Sequence, residues 1–177
     1  MREEAVSRVR TVFSLLDADG NGVLEQVDFT LMADRVAAAA PRSPEADRDA
    51  IRSAFGQYWT TLVDALDADG DGRIDFDEYT ACVLSPERFD ETVGEFARAL
   101  SVLGDPEGQG LVGRGEFVAL MTAIGFERSG IDALFEAFDP SADDRIPVAT
   151  WETAIRDYYA PDQAGIPGDL LVVGAKA

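Results

Sequence analysis

Apolar residues recur along most of this chain at spacings of three and four, the period of a helix with one buried face. Val6, Val9, Phe13 and Leu16 form the first such stripe. A second helix is predicted from about Gln26 to Ala39, ending before Pro41, because a proline pushes the preceding residue toward extended backbone. Ser43 then offers an N-cap, with Pro44 at the first helical position and Glu45 and Asp47 in the first turn. That helix runs through Tyr58, Trp59, Leu62 and Leu66. Ser85-Pro86-Glu87 repeats the start signal ahead of Phe89, Val93, Phe96, Leu100 and Leu103. Ser129 opens a short helix from Ile131 to Phe138, and a last one runs from Val148 to Tyr159. The stripes read as core, not as cofactor contacts.

Between these helices lie four twelve-residue segments of a different kind. DADGNGVLEQVD (17–28) and DADGDGRIDFDE (67–78) place oxygen side chains at positions 1, 3 and 5, glycine at 6, an aliphatic residue at 8 and a carboxylate at 12. This is the pattern of the EF-hand calcium loop. Calcium takes six to eight oxygens at about 2.3–2.6 Å, and a tight turn aims alternate side chains at one centre. The sharp bend at position 6 favours a residue without Cβ. A lone Asp-Gly cluster would mean only a turn; two full twelve-residue matches do not.

Two weaker copies follow, DPEGQGLVGRGE (105–116) and DPSADDRIPVAT (139–150). Position 8 is Leu24, Ile74, Val112 or Ile146, and the residue after each loop is Phe29, Tyr79, Phe117 or Trp151. One supersecondary unit is thus repeated four times. The position-8 residues are expected in short antiparallel links between paired loops. The fold class expected is all-α: four EF-hand helix–loop–helix units in two paired lobes of one compact protein. The expected division is 1–84 for the first pair, 85–160 for the second and 161–177 for a tail.

The loops differ in fitness. In loop one the expected ligands are Asp17, Asp19, Asn21, the Val23 carbonyl and Asp28, with Glu25 at position 9 able to compensate. Asp28 is a methylene shorter than glutamate, which weakens calcium and lets magnesium compete. Loop two offers Asp67, Asp69, Asp71, the Arg73 carbonyl and Glu78. Loop three supplies Asp105, Glu107, Gln109, the Leu111 carbonyl and Glu116, but Glu107 is long for position 3 and Ser101 and Gly104 make the incoming helix irregular. Whether it binds is left open. Loop four has Asp144 in place of glycine, Pro147 at position 9 and Thr150 at position 12, so it is expected to lack the turn and act as a scaffold. Two calcium ions are expected, with a third site open.

Charge agrees with this reading. The chain of 177 residues carries 34 acidic and 15 basic side chains, a net charge of −19. That argues against nucleic acid or anionic lipid as partners. The 48 loop residues hold 16 of the 34 acids, so the acidity is concentrated rather than a uniform solvating surface. There is no histidine, and Lys176 is the one lysine. The commonest general base and zinc ligand are therefore missing, and no enzyme is expected. Cys82 has no candidate base and reads as a small buried hydrophobe. The N-terminal stretch 1–10 lacks an apolar signal core, and no apolar run approaches the roughly 18 residues of a membrane span. A cytoplasmic monomer without membrane contact is the expectation.

The spacing of the loops carries a resemblance. From Asp17 to Asp67 is 50 residues, against 38 and 34 for the next two intervals, unlike the near-even spacing of calmodulin. Together with aspartate at position 12 of loop one, this resembles the calerythrin-like branch of the sarcoplasmic calcium-binding proteins of actinobacteria. The resemblance implies a compact pair of EF-hand lobes that buffers or senses calcium without catalysis. It departs from that branch in one respect: there the second loop is often damaged and the fourth usually binds, whereas here loop two is intact and loop four is not.

The tail bears on buffer against sensor. Pro161, Gly165, Pro167 and Gly168 prevent a long helix, and Leu170, Leu171, Val172 and Val173 form an apolar run. Docked into the protein's own groove, that run would exclude a target helix and favour an intracellular calcium buffer. The alternative is a sensor whose groove opens with calcium to regulate a target protein, although three methionines are few for a promiscuous surface.

Overall fold

The computed structural model describes residues 1–66 and 70–172, so Asp67, Asp69 and Val173 lie outside the described residues. The chain is mostly helical. In order it forms α1 (Glu3–Leu16), β1 (Val23–Leu24), α2 (Gln26–Ala38), α3 (Glu45–Leu66), β2 (Ile74–Asp75), α4 (Phe76–Val83), α5 (Pro86–Leu103), β3 (Leu111–Gly113), α6 (Arg114–Ile124), α7 (Arg128–Ala137), β4 (Arg145–Pro147) and α8 (Val148–Tyr158), followed by a 3-10 turn at Pro167–Leu171.

The strands are two antiparallel ladders. β1 pairs with β2 so that Leu24 faces Ile74, and β3 with β4 so that Val112 faces Ile146. All four of these residues are fully buried. The aromatic residue after each loop is buried as well: Phe29, Tyr79, Phe117 and Trp151. The periodic stripes thus converge on one interior, and the buried apolar residues from Ala5 to Leu171 form a single contiguous cluster. α3, about 33 Å long at 1.5 Å per residue, packs against both α2 and α5, and α5 packs against α8. The two ladders therefore share a core. Tyr58 on α3 is its aromatic hub, with Phe29, Phe89 and Phe96 around its ring.

Several local expectations are corrected. The Ser43 hydroxyl does not cap α3; it donates to the Leu103 carbonyl at 2.7 Å, and the helix begins at Glu45. α7 begins at Arg128, ahead of Ile131, with an Arg128–Asp132 ion pair at 3.0 Å supporting its first turn. α5 stays regular through Ser101, whose hydroxyl donates to the Ala97 carbonyl at 2.7 Å. Gly104 is small because Trp151 packs there: a Cβ would meet that ring at 2.9 Å.

The tail is held by polar groups more than by its apolar run. Arg8, fully buried on α1, pairs with Asp169 at 2.7 Å. It also donates to the carbonyls of Tyr158, Ala160 and Gln163. Leu171 is buried, while Leu170 is exposed. Of the two leucines, Leu171 enters the interior and Leu170 does not.

Candidate metal centre

Loop one turns where its glycines allow it. Gly22, at position 6, has φ +82°, a left-handed value that costs other residues strain. Asp17 accepts the Asn21 and Gly22 amides on its two carboxylate oxygens at 3.2 and 2.9 Å. Asp19 accepts the Asn21 amide at 3.1 Å, and Asn21 accepts the Val23 amide at 3.0 Å. Val23 opens β1, which fixes its carbonyl. Asp28, almost fully buried, accepts the Glu25 amide at 2.8 Å. This carboxylate therefore lies across the N-terminus of α2, where negative charge is favoured. Glu25 itself meets Arg73 at 3.3 Å.

Loop two repeats the arrangement over its described part. Gly72 has φ +71°, Asp71 accepts the Arg73 amide at 2.9 Å, and Glu78 accepts the Asp75 amide at 2.9 Å. Position 12 again rests on the amide of position 9. Arg73 precedes β2, so its side chain is free of the turn and reaches Glu25.

Loop three keeps the turn but not this last contact. Gly110 has φ +77°, and Asp105 accepts the Gln109 and Gly110 amides at 3.0 and 2.7 Å. Leu111 opens β3 opposite Pro147. Glu107 and Glu116, however, both receive the guanidinium of Arg42, and Gln109 receives Arg145 at 2.9 Å.

Loop four has the turn that its sequence was expected to lack. Asp144 takes φ +61° at position 6. Aspartate tolerates this region better than most side chains, and Arg114 grips its carboxylate at 2.6 and 2.9 Å. The Arg114 hydrogen bonds hold the Asp144 carboxyl below its ordinary value and raise the guanidinium's own. Arg114 also bonds Glu136 and lies over the Phe135 ring.

An EF hand family model matches residues 64–83, which contain loop two. Calerythrin from Saccharopolyspora erythraea is 24% identical over 162 residues, covering 88% of this chain and 92% of that protein. A solved Streptomyces coelicolor calcium-binding protein, described in terms of prokaryotic calcium-mediated regulation, is similar at 23% identity, with a TM-score of 0.68 over 88% of this chain and 99% of its own.

The chain carries an EF hand at 64–83 and is similar to calerythrin along most of its length.

Calcium-loaded apo-aequorin from Aequorea victoria shares the fold of this EF-hand protein as well, at 13% identity with a TM-score of 0.70 over 93% of this chain and 95% of that one.

Asp17, Asp19, Asn21 and Asp28 in loop one, and Asp71 and Glu78 in the described part of loop two, are oxygen donors of the kind a hard cation takes. Among the described residues no three acidic side chains are already gathered tightly enough to hold one; the preset part is the backbone turn and the oxygens fixed upon it. Electrostatics points the same way. Burial pushes the Asp28 carboxyl above its ordinary value, and the charges of Asp19 and Asp17 add to this against the opposing Glu25 amide. Carboxylates that raise one another's cost share a field that a cation relieves. Sequence reasoning missed Arg42, Arg114 and Arg145 as partners of loops three and four. Their nearness to incomplete loops was the available signal, but Arg42 lies far upstream in sequence. Cys82 is buried, and burial pushes its thiol up to about 11, opposed by Arg88.

Proposed function

We propose that this EF-hand protein is a calcium buffer of four EF-hand units in two pairs, divided at about residue 84, with ions in loops one and two. The ligands in loop one are Asp17, Asp19, Asn21, the Val23 carbonyl and Asp28. In loop two they are Asp67, Asp69, Asp71, the Arg73 carbonyl and Glu78. The short Asp28 arm makes loop one the place where magnesium competes.

The observation that carries buffering over sensing is the C-terminal segment held against the apolar interior. Arg8 and Asp169 clamp the C-terminal segment, and Leu171 lines an apolar cavity of about 70 Å³ together with Val12, Phe96, Met121, Ile155 and Tyr159 among others. A target helix needs far more room. Dye fluorescence reporting exposed apolar surface, with and without calcium, tests this: a buffer gives little change. A large calcium-dependent rise favours the sensor. That second reading is supported by Val27 and Leu31, exposed one turn apart on α2, and by the regulatory description of the Streptomyces coelicolor protein.

A further inference from the structure

Arg42 sits on the linker between α2 and α3, yet its guanidinium reaches loop three. One nitrogen donates to Glu116 at 2.9 Å and the other to Glu107 at 3.3 Å. These are positions 12 and 3, two of the acids a divalent ion would need. Arg145 holds Gln109, at position 5, from the opposite side. Asp105, Glu107, Gln109, Glu116 and the two arginines line a pocket of about 60 Å³.

The linker is seated there by one buried contact and, from α2, by one at the surface. Ser43, next in sequence, is 5% exposed and donates to the carbonyl of Leu103, the last residue of the helix feeding loop three. Arg35, on α2, donates to the Ala123 carbonyl at the end of α6. Both helices flanking loop three are therefore tied to the segment that carries Arg42. The guanidinium itself is a fixed charge with a planar fork suited to carboxylates. Its side chain is 64% exposed, so it can leave for water at little cost.

We propose that Arg42 is a chain-borne cation at the mouth of loop three, which competes with a divalent ion for Glu107 and Glu116. Calcium then occupies loop three only as Arg42 releases both carboxylates, which couples that site to the linker between the first two loops. At position 12 of loops one and two the carboxylate meets its own helix amide instead, so nothing positive has to be displaced. The inference rests on the calcium reading for the choice of ion.

The test is a calcium titration followed by calorimetry and by the amide resonances of Gly22, Gly72 and Gly110, which report loops one, two and three separately. In Arg42→Gln the Gly110 response should come about threefold lower in calcium than in the wild type, with Gly22 and Gly72 unmoved. Arg128→Gln makes the same change in net charge at a surface ion pair and should follow the wild type. Adding Glu116→Gln to Arg42→Gln should abolish the gain. Arg42→Lys keeps charge but loses the fork, and should fall between the two. Identical Gly110 behaviour in wild type, Arg42→Gln and Arg42→Lys, including no response in any, overturns the proposal. So does an equal shift in Arg128→Gln. Absent Gly22 and Gly72 responses in the wild type would count against calcium in loops one and two, whatever Gly110 does.

Discussion

Loops one and two keep their position-12 carboxylates on the amides of position 9, at 2.8 and 2.9 Å; loops three and four give Glu107, Glu116 and Asp144 to arginines. The two halves are otherwise built alike, with buried aliphatic pairs in each ladder and a buried aromatic after each loop. One frame can thus gather negative charge in two ways. In the proposed reading the first half takes its cation from solution, although Arg73 meets Glu25; in the second half arginines of the chain meet Glu107, Glu116 and Asp144. An arginine supplied by the chain holds the carboxylate oxygens in a pairing that a metal would have to break.

The largest expected effect comes from removing calcium. An ion at a thousandfold excess over its Kd stabilises a site by about 4 kcal/mol. Chelation should therefore cut hydrogen-exchange protection in α1–α4 much more than in α5–α8. Cys82, on α4, offers a second readout. With its thiol pushed up to about 11 by burial, alkylation near pH 8 should be slow with calcium and fast with chelator. Equal loss in both halves would erase the contrast.

Next is the clamp that joins α1 to the tail, which involves no metal. Asp169→Asn leaves the fully buried Arg8 without its counter-charge and should cost about 3 kcal/mol, the lower end for a broken buried pair, since Asp169 is partly exposed. Urea unfolding of the calcium-saturated protein measures it. A cost that vanished on chelation would tie the clamp to the metal sites.

Glu78→Gln should weaken loop two by roughly tenfold, or about 1.4 kcal/mol, with loop three unchanged. Asp28→Glu should do the reverse in loop one, tightening calcium against magnesium. Calorimetric titration in both ions separates these outcomes.

The smallest effect concerns acid. The Asp144 carboxyl is held below its ordinary value of 3.8, chiefly by Arg114. A lowered folded value contributes stability above the unfolded one, and that contribution is lost as pH falls through the folded value. The stability difference between wild type and Asp144→Asn should therefore be present at pH 7 and fade below pH 3.8. A difference that persists in strong acid would show that Arg114 is not its source.

Much of the frame was legible along the chain. Leu24, Ile74, Val112 and Ile146 recur at one loop position and end as facing pairs, because a ladder between two loops needs apolar side chains there and little else. Phe29, Tyr79, Phe117 and Trp151 follow the same logic. The turn in loop four was not legible, since Asp144 reads as a missing glycine until Arg114 is seen to hold it. In the tail, the run from Leu170 suggested an apolar plug; Leu171 is buried and Leu170 is not, and the Arg8–Asp169 pair that ties the tail to α1 left no local signal.

The sequence by itself determined the four loops, the helices that flank them and the acids available to a cation. Each follows from local rules: a period of three to four, a left-handed glycine, an oxygen at every second position. Tertiary structure decided which of those acids meet an arginine of the chain. Arg42 and Glu116 lie 74 residues apart, and no local pattern brings them together. Only the packing of α2 on α3 and α6, with Ser43 on the end of α5, carries that charge to loop three. Short-range patterns record what a segment can bind; long-range packing sets what it meets first.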